Sequence, residues 1–110
     1  MKQWDIYTYA FREGEYPAII LSSDEMTENP DIGDVNILFA ATCRAITRHP
    51  KRHEIMLDEA DGLDWKTAVR CDQIILVLKT ALRQHRGSVS HQRRREIARK
   101  IIEIFRLPIA

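Results

Sequence analysis

The segment Val69-Arg70-Cys71-Asp72-Gln73 sets a guanidinium and a carboxylate two residues apart. In an extended strand such residues point to the same face, about 7 Å apart along the chain. A planar donor fork can hold a phosphoryl group and neutralise its charge. A carboxylate beside it can take a proton or orient a nucleophilic hydroxyl. The pair reads as a phosphate site, and Thr42, at the end of another central strand, can add a hydroxyl donor to the same surface. The same two side chains would equally make a plain structural ion pair, which contributes little at a surface.

Other chemistries find less support. His49 and His53 are spaced i, i+4 in His-Pro-Lys-Arg-His, a metal-pair spacing on a helix, but Pro50 stands between them and disfavours one. No cysteine or carboxylate pattern completes a metal site, so no metal or other cofactor is expected. Cys43 and Cys71 form neither a redox pair nor a disulfide framework, and both thiols are expected free in a reducing cytoplasm. The four glycines are scattered singly, which leaves no phosphate-cradling loop, and there is no nucleophile elbow.

The elements that must position Arg70 and Asp72 are mostly strands. Lys2–Phe11 is aromatic and β-branched, with Trp4, Ile6, Thr8 and Ala10 on one face. Arg12–Glu15 reads as a turn centred on Gly14, and Tyr16–Leu21 as a second strand with Pro17 at its start. Ser22–Asp34 reads as a loop. Val35–Cys43 is apolar nearly throughout and reads as a central strand. His53–Leu57 is edge-like, Asp58–Asp64 an acidic loop, and Thr67–Leu78 the longest strand. The period then changes. Gly87–Ser90 reads as a turn with Ser90 as N-cap, and His91–Leu107 as a helix stopped by Pro108. Its residues Ile97, Ala98, Ile101, Ile102, Ile104 and Phe105 fall within roughly half a helical wheel. The expectation is an α+β, mainly β fold: a small twisted antiparallel barrel closed by a C-terminal helix.

At 110 residues the chain is expected to be a single domain spanning 1–110. No apolar run is long enough to span a membrane, and the N-terminus lacks the apolar core of a secretion signal. The net charge of +1 hides an asymmetry. Residues 1–64 hold six basic and thirteen acidic side chains; residues 65–110 hold eleven basic and three acidic. Such a split hints at a strongly charged partner, or simply at two solvated faces. The cluster Arg93-Arg94-Arg95 with Arg99 and Lys100 reads as a phosphate-tracking stripe, a solvated helix face or a dock for an acidic peptide.

The chain resembles the MazF/PemK family of toxin ribonucleases. Gly14 followed by Tyr16-Pro17-Ala18-Ile19-Ile20-Leu21-Ser22 is similar to the family's glycine loop and its R-P-x-x-x-L-S strand. Val35–Thr42 is similar to its third strand, which ends in threonine. Val69-Arg70-Cys71-Asp72-Gln73-Ile74 resembles its V-x-x-D-Q-I strand, with the Arg-x-Asp spacing of the PemK branch. Leu82–Leu107 matches its basic segment, turn and terminal helix.

The resemblance implies an SH3-like barrel forming a homodimer, a metal-free cut of single-stranded RNA, and an acidic antitoxin as partner. The ribose 2′-hydroxyl would attack its own phosphate, leaving 2′,3′-cyclic phosphate and 5′-hydroxyl ends. Asp72 would be the base, Arg70 the acid or charge stabiliser, and Thr42 a further contact; Arg12, Tyr16, Gln73 and Arg44 would touch RNA. One departure stands out: Tyr16 occupies the place of the arginine central to catalysis in the MazF branch. Arg12, in the neighbouring turn, is its possible substitute. The alternative is a barrel without catalysis that binds nucleic acid, an antitoxin or another protein target, as gyrase poisons of this fold do.

Overall fold

The computed structural model describes residues 1–40 and 46–109. Six strands form one sheet: β1 (Asp5–Phe11), β2 (Gly14–Ile20), β3 (Asp34–Ala40), β4 (Glu54–Leu57), β5 (Thr67–Leu78) and β6 (Leu82–Ser88). Their order is β4-β5-β3-β2-β1-β6, every neighbouring pair antiparallel. A short helix α1 (Asp24–Thr27) lies in the expected loop, and the long helix α2 (His91–Phe105) ends the chain. The mainly β class with a C-terminal helix is as expected. The sheet does not close, however: among the described residues β4 and β6 are its two edges, so this is an open sheet rather than a barrel. No helix among the described residues is long and apolar enough to cross a membrane.

Alternation along β2 divides the core. Ile19 joins Ile6, Leu38, Val69 and Cys71 under α2, where Ile97 is fully buried and Ile101 and Ile104 pack alongside. Ala18 and Ile20 join Val35, Ile37, Val77 and Leu82 in a second cluster. Sending successive side chains to opposite faces is the strand's own periodicity, and two buried faces need the continuous apolar runs seen in β2 and β3.

Three boundaries differ from expectation for physical reasons. The first turn is only Arg12-Glu13, because Arg12 itself takes a left-handed conformation (φ 54°) and lets Phe11 face Gly14 directly. Leu82–Ser88 is a strand although its side chains are mostly polar: among the described residues it is an edge that pairs only with β1, so it needs no apolar alternation. Gly87 lies within it, and a Cβ there would collide with the Asp61 carbonyl oxygen. Finally, α2 stops at Phe105, before Pro108. Arg106 turns left-handed (φ 51°, ψ 45°), and the Leu107 N–H donates to the Ile102 carbonyl at 3.0 Å. Phe105 is therefore left half-exposed rather than packed.

Candidate active site

The geometry of the site comes from an irregularity in β5. Leu38 pairs with Ile74, but the next residue of β3, Phe39, pairs with Arg70. Cys71, Asp72 and Gln73 have no β3 partner among the described residues, so β5 bulges there. On its other side β5 pairs with β4 up to Glu54–Arg70, and the Cys71 N–H donates to the His53 carbonyl at 2.8 Å. The bulge thus sits where β4, β5 and the end of β3 meet.

Arg70 and Asp72 meet as their spacing predicts. Arg70 Nε donates to Asp72 Oδ1 at 3.2 Å, and a terminal nitrogen donates to Oδ2 at 2.8 Å. The Arg70 side chain is 44% exposed and that of Asp72 24%. The forked bond holds the Asp72 carboxyl below its ordinary range and raises the guanidinium in turn.

Arg70 stands between two clefts. One, of about 480 Å³, is lined by Arg48, Lys51, Arg52, His53, Glu54, Arg70 and Asp72. The other, of about 280 Å³, is lined by Phe11, Tyr16, Phe39, Ala40, Arg70, Gln73 and Ile75. In the second, Tyr16 and Phe11 both meet the Phe39 ring edge-on, with centroids 5.4 Å away. Arg12 lies against the outside of this cluster, its guanidinium carbon 5.1 Å from the Phe11 centroid. Of the expected site residues, then, Arg70 joins Asp72 in the first cleft and Tyr16 and Gln73 in the second, and Arg12 stands at the margin. Thr42 and Arg44 lie outside the described residues.

The first cleft contains side chains the sequence reading did not single out. Glu54 is buried, yet its carboxylate is fully engaged: Arg48 donates a fork to it at 2.7 and 3.0 Å, and the Lys51 N–H donates at 2.7 Å. These bonds, Arg48's first, keep it below the usual carboxylate range despite burial. Glu54 thereby pins the cationic loop against β5. A glutamate at the head of the apolar run Ile55-Met56-Leu57 was a visible signal; its opposition to Arg70 was not, because that depends on register between distant strands.

Two further groups separate from the chemistry. Burial pushes the Cys71 thiol up to about 12, which makes it a core residue rather than a nucleophile. Arg93 does not belong to a uniform stripe. It forks onto Asp58 at 2.7 and 3.0 Å and also binds the buried Asp61, while Arg94 donates to the Val89 carbonyl at 2.7 Å. Arg95 and Arg99 remain exposed.

An open six-stranded antiparallel sheet backed by one C-terminal helix is an architecture shared with solved toxins. The fold aligns with an endoribonuclease solved in complex with its cognate antitoxin from a mycobacterial species (TM-score 0.81, 20% identity, covering 100% of this chain and 99% of that one). It aligns similarly with the Mycobacterium tuberculosis toxin MazF-mt6 (TM-score 0.78, 20% identity, 96% and 99% covered). No curated protein matches significantly in sequence. Over residues 2–105 the sequence matches the PemK-like, MazF-like toxin family of type II toxin–antitoxin systems, and the chain belongs to that family.

Proposed function

We propose that this toxin is a metal-independent, sequence-specific endoribonuclease that cuts single-stranded RNA in the cytoplasm to 2′,3′-cyclic phosphate and 5′-hydroxyl ends. The observation that carries the reading is the Arg70–Asp72 fork at a strand bulge between a cationic and an aromatic cleft. A scissile phosphate at Arg70 would place one flanking base against Phe11, Tyr16 and Phe39, a stacking surface suited to an unpaired base. Gln73 supplies amide donors and an acceptor at the rim of the same cleft, and Arg12 adds charge from the turn.

The resting fork has a consequence for the mechanism. While Arg70 holds Asp72, the carboxylate is a weak base. A dianionic, phosphorane-like transition state competes for the same guanidinium. As Arg70 turns to the phosphoryl oxygens, Asp72 regains basicity and can take the 2′-hydroxyl proton. Substrate itself thus switches on the base. Thr42, adjoining the end of β3, is assigned a contact to phosphate, and Arg44 a contact to RNA.

An antitoxin partner is supported by the family and by the complex of the similar mycobacterial protein, and we assign it an acidic character from the cationic surface it would meet. A homodimer is supported by Ile74, Leu76 and Leu78, which alternate along one face of β5 and remain exposed. Light scattering of a Leu76→Arg, Leu78→Arg double variant as a monomer would agree with that assignment.

A second reading rests on Tyr16, which packs on Phe39 where the MazF branch has arginine. In it the surface binds without cutting. Incubation of long RNAs in excess EDTA separates the two, with fragment ends mapped for wild type, Arg70→Ala and Asp72→Asn. Cyclic-phosphate ends from wild type alone support the nuclease. Intact RNA with a folded wild type favours the binding module.

A further inference from the structure

We propose that His53 is the general acid that protonates the leaving 5′-oxygen. The inference rests on the ribonuclease reading and adds the proton donor that reading lacks.

Transesterification of a phosphodiester moves two protons, one off the 2′-hydroxyl and one onto the 5′-oxygen. Asp72 takes the first. Arg70 is a poor source of the second, because guanidinium holds its proton at any physiological pH and the Asp72 fork raises it further. Glu54 is an ionised acceptor committed to Arg48 and the Lys51 N–H. Lys51 and Arg52 are both exposed cations suited to holding phosphate. Among the described residues lining this cleft, His53 is the only imidazole, the side-chain type that exchanges a proton readily near neutrality.

Its placement fits the task. The His53 carbonyl accepts the Cys71 N–H at 2.8 Å, which fixes the residue opposite the midpoint between Arg70 and Asp72. Its Nδ1 is buried with no hydrogen-bond partner among the described residues, so a proton given to substrate would leave from Nε2, the other ring nitrogen. The charges facing it are Arg48, Lys51 and Arg52 on its own loop, Glu54 on β4, and Arg70 and Asp72 on β5. From α2, Lys100 bears on the neighbouring Cys71.

The step balances as follows. The 2′-oxygen forms a bond to phosphorus as its proton passes to Asp72. The P–O5′ bond breaks, and its electron pair takes the proton from the His53 imidazolium. The products are the cyclic phosphate and the 5′-hydroxyl; proton exchange with water then returns Asp72 to carboxylate and His53 to imidazolium.

A leaving group that needs no protonation tests this directly. Wild type, His53→Gln and Asp72→Asn are assayed in EDTA on two oligonucleotides with the mapped cleavage site. One has the natural 5′-oxygen and the other a bridging 5′-sulfur, which departs as a thiolate. The expected result is that His53→Gln loses about 10²–10⁴-fold on the oxygen substrate. It should return to within a few fold of wild type on the sulfur substrate, while Asp72→Asn stays slow on both. Equal loss on both substrates, or no loss on either, overturns the assignment. Circular dichroism checks that the variants fold. Should His53→Gln fail to fold, the wild type alone decides. A high-pH decline of kcat/KM present for oxygen and absent for sulfur supports the acid, and the same profile for both overturns it. If wild type cleaves neither substrate, the ribonuclease reading itself has failed and takes this assignment with it. If Asp72→Asn is slow while His53→Gln is not, only His53 is wrong.

Discussion

Arg70 binds Asp72 through two parallel N–H···O contacts, and that geometry belongs to guanidinium alone. Lysine keeps the charge but offers a single compact ammonium. Arg70→Lys should therefore fold normally and lose about 10²–10³-fold in kcat, the cost of one misplaced donor to a developing anion. NMR titration should show the Asp72 carboxyl rising toward its ordinary value, since the Arg70 hydrogen bond is the largest cause of its depression. An unchanged kcat would reduce the pair to a structural staple. The same-face placement of this pair was legible in the sequence, because a two-residue spacing in a strand fixes it. The surroundings were not. Phe11 and Tyr16 meet Phe39, and Glu54 stands opposite Arg70, only after strands far apart in the chain have chosen their register. His53 was visible, but its i, i+4 spacing is to His49, which lines a different cleft with Ile46 and Lys66.

Elements were readable where burial imposes a period and unreadable where it does not. β2, β3, β5 and α2 carry strong apolar patterns and fall close to their expected ranges. β6 carries none, being a polar edge, and its Gly87 looks like a turn although it serves a close approach to the Asp61 carbonyl. Gly87→Ala should cost about 1–3 kcal/mol in thermal melts, since the obstacle is backbone and cannot swing away. Gly33→Ala, where a Cβ meets nothing within 4 Å, should shift stability by less than about 0.5 kcal/mol. Equal effects would mean that Gly87 is not pressed against that turn. The turn is also where α2 is fastened. Asp58 and Asp61 cap each other's backbone, Asp61 accepts the Ser90 N–H at 2.9 Å, and Arg93 binds both carboxylates. Ser90 thus occupies the expected N-cap position without a side-chain cap; its backbone is held by Asp61 instead. Arg93→Met should cost about 3 kcal/mol, because it strands the buried Asp61 charge. Asp58 lies at about 2 in the folded protein against an ordinary 3.8, chiefly through Arg93. A lowered carboxyl stabilises the fold fully above its unfolded value and loses that contribution as pH falls through the folded one. Wild-type stability should therefore drop between about pH 4 and pH 2 with an Asp58 component, and Asp58→Asn should flatten that part of the acid limb.

Across the whole molecule, the opposed charges of the two chain halves do not become two opposed faces. Arg93 of the basic half is spent on Asp58 and Asp61 of the acidic half, and His85 on β6 lies 3.4 Å from Asp5 on β1. The cationic cleft draws Arg48, Lys51 and Arg52 from the acidic half and only Arg70 from the basic one. Sequence charge counts cannot foresee this, because folding brings the segments together by strand pairing rather than by chain order. RNA tracking the cleft and RNA tracking the exposed helix arginines therefore make different demands on salt. Each phosphate neutralised on a single strand contributes about −0.7 to the slope of log affinity against log salt. Binding of an uncleavable RNA, 2′-deoxy at the scissile position, can be followed by fluorescence anisotropy from roughly 50 to 200 mM salt. The Lys51→Ala, Arg52→Ala pair should make that slope shallower by about 1.4, two phosphate contacts' worth. Arg95→Ala with Arg99→Ala should leave it unchanged, since both side chains point into solvent from α2. The reverse outcome would move the RNA path onto the helix, leaving the cleft beside Arg70 to serve the scissile phosphate alone.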